Sequence, residues 1–351
     1  MKPFRKTWAA FQYSIVMGKT FIHHDGALGD LLLSLPAIIH IRERSGFVHL
    51  AGRADVAAML IEAGVVDEAS SASSSGYVSL YGDYPSKELR DFLAAFDSSV
   101  VFTVRPESHA AAGIRRVIPD TRIIRTVPPG GVIAHVGNYR LGQLAEGASV
   151  QPPLITVPAG RSEEARGFLQ RRGYDFSRPL ISVHPGSGGA RKCWPLDDYI
   201  TVLRMLGDFC RPYVLFISGP VEAGSFGGSL REYLRDNPSM SAHMENRDLA
   251  LVAAALSMTD LYLGNDSGIS HLSGCLGARS VVLFGPTDPV LWRPFGDNVR
   301  VVRGMAGCSP CRDERSRSCL DRICLNHITP EEVFTAAREI LSGSAAGKKR
   351  G

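Results

Sequence analysis

The sequence predicts an α/β protein made of two doubly wound, Rossmann-like domains that face each other across a cleft. Three observations carry this. The chain has 351 residues, enough for two cores of ordinary domain size. Short β-branched runs alternate with helical patterns in both halves, the rhythm of a parallel sheet with helical crossovers. That rhythm stops and restarts at 151–161, QPPLITVPAGR, whose three prolines and glycine read as an interdomain linker.

Taken in order, 21–24 (FIHH) reads as the opening strand. A helix over 29–44 follows, and Pro36 inside it removes a backbone donor and should kink or unwind it. A strand at 47–51, a helix at 54–63 and strands at 100–104 and 122–127 complete the first half. Beyond the linker come a strand at 179–183, a helix at 196–208, a strand at 213–218 and a helix at 223–235. The helix at 248–258 opens on Asp248, a good N-cap residue. Strands at 261–263 and 280–284 flank a helix at 268–277. The terminal helix, 330–341, has Thr329 as cap, Pro330 in its first turn and Glu331-Glu332 at the positive end of its dipole. The expected division is an extension at 1–20, a first domain at 21–155, a second at 160–328, a C-terminal helix at 329–342 and a tail at 343–351. The tail and the serine run at 70–75 read as loop or disorder.

The composition is globular, 44% hydrophobic and 21% charged, and no apolar run reaches the roughly 18 residues of a membrane span. The first twenty residues scatter Lys and Arg through a broken apolar stretch without a cleavage pattern. They read as an extension, with a shallow membrane-surface contact as the alternative. Seven cysteines, an odd number, without a secretory signal point to reduced thiols in the cytoplasm. The net charge of +4 is mild. Arg115, Arg116, Arg122, Arg125 and Arg140 cluster in the first half, and another basic stretch covers 312–322. Such clusters are either a solvated face or a rim for an anionic partner such as a phosphorylated glycolipid. No aromatic-interleaved basic motif accompanies them, so nucleic acid is not expected.

Three strand-to-helix turns are rich in small residues: DGALGD at 25–30, HPGSGGARK at 184–192 and GNDSGISH at 264–271. At the carboxyl ends of parallel strands, helix N-termini present unpaired N–H groups and partial positive charge to a ligand, which suits a phosphate. Lys192 adds a cation to the second turn. Neither the Walker pattern nor a dinucleotide fingerprint is present.

These residues resemble glycosyltransferase family 9, the lipopolysaccharide heptosyltransferases. Gly29-Asp30 followed by LLLSLPA resembles the family's opening motif. HPGS…KCWP at 184–195, GNDSGISHL at 264–272 and LFGPTDP at 283–289 resemble its nucleotide-sugar motifs. The resemblance implies a GT-B fold, with the acceptor on the N-terminal domain and an ADP-sugar on the C-terminal one. It implies inversion at the anomeric carbon without a metal, and no cofactor beyond the donor. The expected donor is ADP-heptose or similar, and the expected acceptor an anionic glycolipid or oligosaccharide. The expected place is the cytoplasm, peripheral to the inner face of the inner membrane.

By the same resemblance Asp30 matches the general base, a carboxylate that takes the proton of the attacking sugar hydroxyl; the alternative is a plain helix N-terminal charge. Ser187, Gly188 and Lys192 match the positions that hold the diphosphate and stabilise charge on departing ADP. Ser267 and Gly268 add backbone donors. Asp266 matches a residue that accepts hydrogen bonds from donor-sugar hydroxyls, or it is the N-cap of the helix that follows. Glu222 falls where the family holds the ribose. His271 either meets a phosphate or packs, and Thr287 either lines the nucleotide end or only completes a turn.

Cys308, Cys311, Cys319 and Cys324 form a separate constellation. Four thiols within seventeen residues, opening with CxxC, suit a structural zinc; reduced thiols or a redox-sensitive loop are the alternatives. Two rivals to sugar transfer stand beside it: a nucleotide-sugar epimerase on the same scaffold, and a non-catalytic nucleotide-sugar-binding protein.

Overall fold

Two parallel sheets organise the chain, of which the computed structural model describes residues 18–148, 151–219, 227–311, 319 and 321–344. The first contains β1 (Lys19–His24), β2 (Phe47–Gly52), β3 (Glu68–Ser71), β4 (Ser98–Thr103) and β5 (Thr121–Arg125), in the order β3-β2-β1-β4-β5. It carries α1 (Leu28–Leu33), α2 (Leu35–Arg42), α3 (Ala54–Glu62), α4 (Lys87–Leu93), α5 (His109–Val117) and α6 (Val136–Gly142). The second contains β6 (Leu180–His184), β7 (Tyr213–Ser218), β8 (Ser241–Glu245), β9 (Leu261–Asn265), β10 (Ser280–Phe284) and β11 (Val299–Arg303), in the order β11-β10-β9-β6-β7-β8. Its helices are α7 (Ala159–Arg171), α8 (Leu196–Cys210), α9 (Gly227–Asp236), α10 (Leu249–Ser257), α11 (Gly268–Cys275), α12 (Pro289–Trp292), α13 (Ile323–Asn326) and α14 (Pro330–Ser344). This is the α/β, GT-B arrangement of two Rossmann-like domains that the sequence predicts.

Parallel strands covered on both faces need apolar side chains at every position, and β7 (YVLFIS) and β10 (SVVLF) are buried throughout. In β1 the strand period of two sends Phe21 to a cluster with Tyr77, Leu80 and Leu93, and Ile22 to one with Leu31, Leu32 and Leu50. The Ile22 cluster does not stop at the domain edge. It continues into Leu272 and Cys275 of α11 and Leu251 to Leu256 of α10, so the two domains share one apolar seam. Arg161 reinforces it, donating to Glu62 of α3 at 2.7 Å.

The helix expected over 29–44 is two helices. It breaks at Ser34, which ends α1 and opens α2, and Pro36 lies in the first turn of α2, where its missing N–H breaks no helical bond. β1 starts at Lys19, inside the expected extension, whose first seventeen residues lie outside the described ones. α7 likewise begins within the proline-rich segment. The short strands β3, β8 and β11 carry weak patterns; β3 (EASS) is a half-exposed edge strand of poor β-formers. At α14 Thr329 and Glu332 close a capping box: Thr329 N–H donates to Glu332 Oε2 at 2.9 Å, and Glu332 N–H to Thr329 Oγ1 at 3.3 Å. The tail from 345 lies outside the described residues.

Candidate active site

In each sheet the strand order reverses once, between β1 and β4 and between β6 and β9. Ligands of doubly wound folds bind in the crevices at such points. The three small-residue turns follow β1, β6 and β9, so topology gathers all of them at the two crevices.

The two C-terminal turns are one unit. Asn265 Oδ1 accepts from Trp194 N–H at 3.0 Å, and its Nδ2 donates to the carbonyls of Pro185 at 2.7 Å and Gly186 at 3.3 Å. Ser187 Oγ donates to the Asp266 carbonyl at 2.8 Å. The Asp266 side chain then collects the rest. Lys192 Nζ donates to Oδ2 at 2.7 Å and Thr287 Oγ1 donates to the same oxygen at 2.6 Å. His271 Nε2 faces Oδ1 at 3.7 Å, beyond hydrogen-bond reach. Burial by itself would push this carboxyl up, but His271 and Lys192 more than offset it and hold the group well below the usual carboxylate range. The helix cap belongs to Ser267, whose Oγ accepts from Ser270 N–H at 3.3 Å; Asp266 is not the N-cap, because its carboxylate is engaged by Lys192 and Thr287. Gly188 is exposed beside open space.

On the N-terminal side α1 starts at Ala27 without a side-chain cap, which leaves first-turn N–H groups open beside Asp30. Asp30 is held from behind by Arg140. Its guanidinium donates to the Asp30 carbonyl, to Asp30 Oδ1 at 3.4 Å, to Ser34 Oγ at 2.9 Å and to the Thr126 carbonyl at 2.9 Å. Arg140 is fully buried, so its place in a basic rim is a correction. Four acceptors replace its water, and the demand for those acceptors draws it inward. His24 completes the network. Gly26 N–H donates to Nδ1 at 3.1 Å, which leaves Nε2–H to donate to Ser34 Oγ at 3.0 Å.

Burial, then Arg140 and His23, lower the His24 pKa from 6.5 to about 3. The unfolded chain therefore takes up a proton near pH 6.5 that the folded protein refuses until about pH 3. Stability is full above pH 6.5 and is lost as pH falls, by about 2 kcal/mol at pH 5. Urea unfolding at pH 7.5 and 5.0 should show a loss larger by that amount in the wild type than in His24→Asn, which keeps the acid loss of the other burial-lowered histidines. An equal loss in both would remove His24 from the account.

The two halves meet at these turns. A Cβ on Gly29 would stand 2.8 Å from His271 Cδ2, and one on Gly268 would stand 2.6 Å from Leu28. Both are backbone approaches that only glycine permits. Asp30 thus stands one residue from the Gly29–His271 contact, beside the Lys192–Asp266–Thr287 cluster. His135 Nε2–H donates across the same boundary to the Arg293 carbonyl at 2.8 Å.

Of the residues read from sequence, the structure gathers Ser187, Lys192, Asp266, Ser267, Gly268, His271 and Thr287, and places Asp30 next to Gly29, which packs on His271. Glu222 lies outside the described residues. Sequence reasoning missed the roles of Arg140, His24, Ser34 and Asn265, which act through other residues. It also passed over Arg191, whose buried Nη1, like His271 Nδ1, has no hydrogen-bond partner among the described residues. Cys308 is exposed, Cys311 and Cys319 are half-buried and Cys324 is buried. Burial first, then the nearness of Cys311, Cys308 and Cys319, pushes the Cys324 thiol up. Among the described residues no group of three or more His, Cys, Asp or Glu is arranged to hold a metal ion. Residues 312–318 and 320, between these cysteines, lie outside the described ones. Among the described residues no helix is long and apolar enough to cross a membrane.

The model of glycosyltransferase family 9 (heptosyltransferase) matches residues 148–320. The chain is 26% identical over 207 residues to lipooligosaccharide heptosyltransferase 2 of Haemophilus influenzae, covering 56% of this chain and 58% of that protein. The match thus spans less than two-thirds of that relative. Among solved structures, a family 9 glycosyltransferase from Veillonella parvula superposes with a TM-score of 0.76 at 17% identity, covering 93% of this chain and 98% of the other. The Escherichia coli ADP-heptose lipopolysaccharide heptosyltransferase II superposes with a TM-score of 0.71 at 17% identity, covering 93% and 99%.

Proposed function

Since the chain belongs to glycosyltransferase family 9, we propose that it transfers a heptose or similar sugar from an ADP-sugar to a lipopolysaccharide-type glycolipid. The transfer inverts the anomeric carbon and uses no metal. The observation that carries the reading is the placement of Asp30 across the domain boundary from the Lys192–Asp266–Thr287 cluster.

In this reading the acceptor hydroxyl oxygen attacks the anomeric carbon while its proton passes to the Asp30 carboxylate. The bond from that carbon to the diphosphate oxygen breaks, and ADP leaves with the electron pair. Lys192, Ser187, Gly188 and the first-turn N–H groups at Ser267 and Gly268 hold the charge that develops on the diphosphate. Asp266 Oδ1, which faces His271 Nε2 at 3.7 Å, is the oxygen left for a hydroxyl of the donor sugar. His271 Nδ1 and Arg191 Nη1 are buried polar atoms that a bound donor would satisfy. Glu222 is assigned to the ribose and Thr287 to the nucleotide end by resemblance alone. The division into an acceptor domain at 21–155 and a donor domain at 160–328 belongs to the same proposal. So does action in the cytoplasm at the inner face of the inner membrane. The thiols take no part in this chemistry; a zinc held by Cys308, Cys311, Cys319 and Cys324 would be structural.

The test is ADP release from ADP-heptose with and without a deep-rough lipopolysaccharide acceptor. Release that requires the acceptor is the expected result. Release without it would point to epimerase or hydrolase chemistry, and donor binding without release to a binding protein.

A further inference from the structure

We infer that one face of the N-terminal domain, around the groove between α5 and β5, docks on a membrane surface rich in anionic headgroups. The purpose of this docking rests on the lipid-linked acceptor proposed above; the geometry does not. The groove has a volume of about 700 Å³, and Arg115, Arg116 and Arg125 converge on it against a single carboxylate, Glu107. Arg115 donates to the Thr121 carbonyl at 3.4 Å. Arg116 donates to the Asp83 carbonyl and lies 5.1 Å over the Tyr84 ring. Gln143 clamps the Arg125 backbone on both sides, donating to its carbonyl and accepting from its N–H at 2.9 Å each. That clamp caps the open edge of β5 and fixes where the Arg125 side chain starts. Among the described residues, Arg105, Arg115, Arg116 and Arg125 enter no ion pair with a carboxylate, unlike Arg42, Arg53 or Arg161.

The second observation is independent of charge. Of thirteen exposed large hydrophobic side chains among the described residues, seven belong to three segments of this domain, none of them lining the groove itself but each segment joined to it through Tyr84 over Arg116 or through the paired Thr103 and Arg125. They are Val78, Tyr81 and Tyr84 before α4, Val104 after β4, and Val127, Val132 and Ile133 after β5. Ile133 is 80% and Tyr84 73% exposed. The pairing of Thr103 with Arg125 sets Val104 beside the start of the Val127 loop. Isolated exposed aliphatics need no explanation, but here they accompany guanidiniums that, among the described residues, have no carboxylate partner. An interfacial surface has this composition: tyrosines at headgroup depth, aliphatic tips in the acyl boundary and arginines on anionic lipid. The groove runs from Thr121, at the amino end of β5, to Arg125 at its carboxyl end, and the carboxyl end is the edge of the sheet at which Asp30 follows β1. α6 connects the two, with Gln143 at the groove three residues from Arg140 at Asp30.

The test is co-sedimentation of the full chain with phosphatidylethanolamine/phosphatidylglycerol (3:1) vesicles and with phosphatidylcholine vesicles. The expected result is binding to the anionic vesicles that weakens in 0.5 M salt. Arg115→Ala/Arg116→Ala/Arg125→Ala should lower the partition coefficient about 100-fold, at about fivefold per charge. Val132→Ser/Ile133→Ser, in an exposed loop where folding is not at stake, should also lower it. Equal binding to the two vesicle types, or unchanged binding by both variants, would overturn the inference. So would vesicle-independent binding of a soluble phosphorylated oligosaccharide in this groove. Failure of the transfer reaction would leave these outcomes unaffected, so the two readings fall separately.

Discussion

Asp30→Asn should lower acceptor-dependent ADP release by about 10²–10⁴-fold, the range lost with a positioned general base, and leave donor affinity within about twofold. Asp30 lies on α1, held through its own carbonyl and Oδ1 by the buried Arg140, while the proposed donor contacts lie on the loops after β6 and β9. Asn keeps the volume and can still accept from Arg140, so the backbone anchor survives and only proton acceptance is lost. Isothermal titration with ADP and initial-rate assays on the same preparation separate the two quantities. A variant that retains more than about a tenth of the wild-type rate would mean that another group takes the proton and that Asp30 serves only the helix terminus. Parallel loss of rate and ADP affinity would instead show that the substitution disturbs the seam between α1 and α11.

Most of the site was readable because its chemistry is carried by contiguous turns. The loops at 184–192 and 264–271 follow buried strands whose apolar runs mark them without ambiguity, so Lys192, Asp266 and Ser267 could be placed at strand ends before any coordinate. What the sequence hides is partnership across distance. Asn265 reads as one more polar residue in a turn, and only the fold shows it bracing Pro185, Gly186 and Trp194. Arg140 is the sharper case. An arginine near other arginines reads as surface, and no local pattern announces that Thr126, Ser34 and Asp30, 14 to 110 positions away, will supply its acceptors. The missed strands β3, β8 and β11 have a different cause. β3 and β8 are short and owe their strand form to neighbours rather than to their own propensities, whereas β11 (VRVVR) is rich in β-forming valine but buries only one of its five positions.

Lys192→Met should cost both rate and stability, and the two losses should respond differently to pH. Removing the cation proposed to meet the diphosphate should lower kcat by about 10²–10³-fold, the range for loss of one preorganised donor to a developing charge. The stability loss arises at Asp266, whose carboxylate is buried and takes its strongest direct bonds from Lys192 and Thr287. In the wild type the carboxylate is held well below the usual range. It is ionised in both folded and unfolded states at neutral pH, and its contribution disappears only when acid reaches that depressed value. Without Lys192, burial is less opposed and the group moves upward. The variant then carries a poorly compensated buried charge at neutral pH, worth about 1–3 kcal/mol; the figure is discounted because the Lys192 side chain is 38% exposed. Lowering the pH through the ordinary carboxylate range lets the variant protonate Asp266 and escape that cost, while the wild type gains nothing there. Urea unfolding at pH 7.5 and 4.0 should therefore show a stability gap that narrows in acid. Lys192→Arg, which keeps the charge, should narrow it at both values. A gap independent of pH would assign the loss to packing and break the link between Lys192 and Asp266. A kcat unchanged by Lys192→Met would remove the cation from leaving-group stabilisation, leaving that charge to the N–H groups at the start of α11.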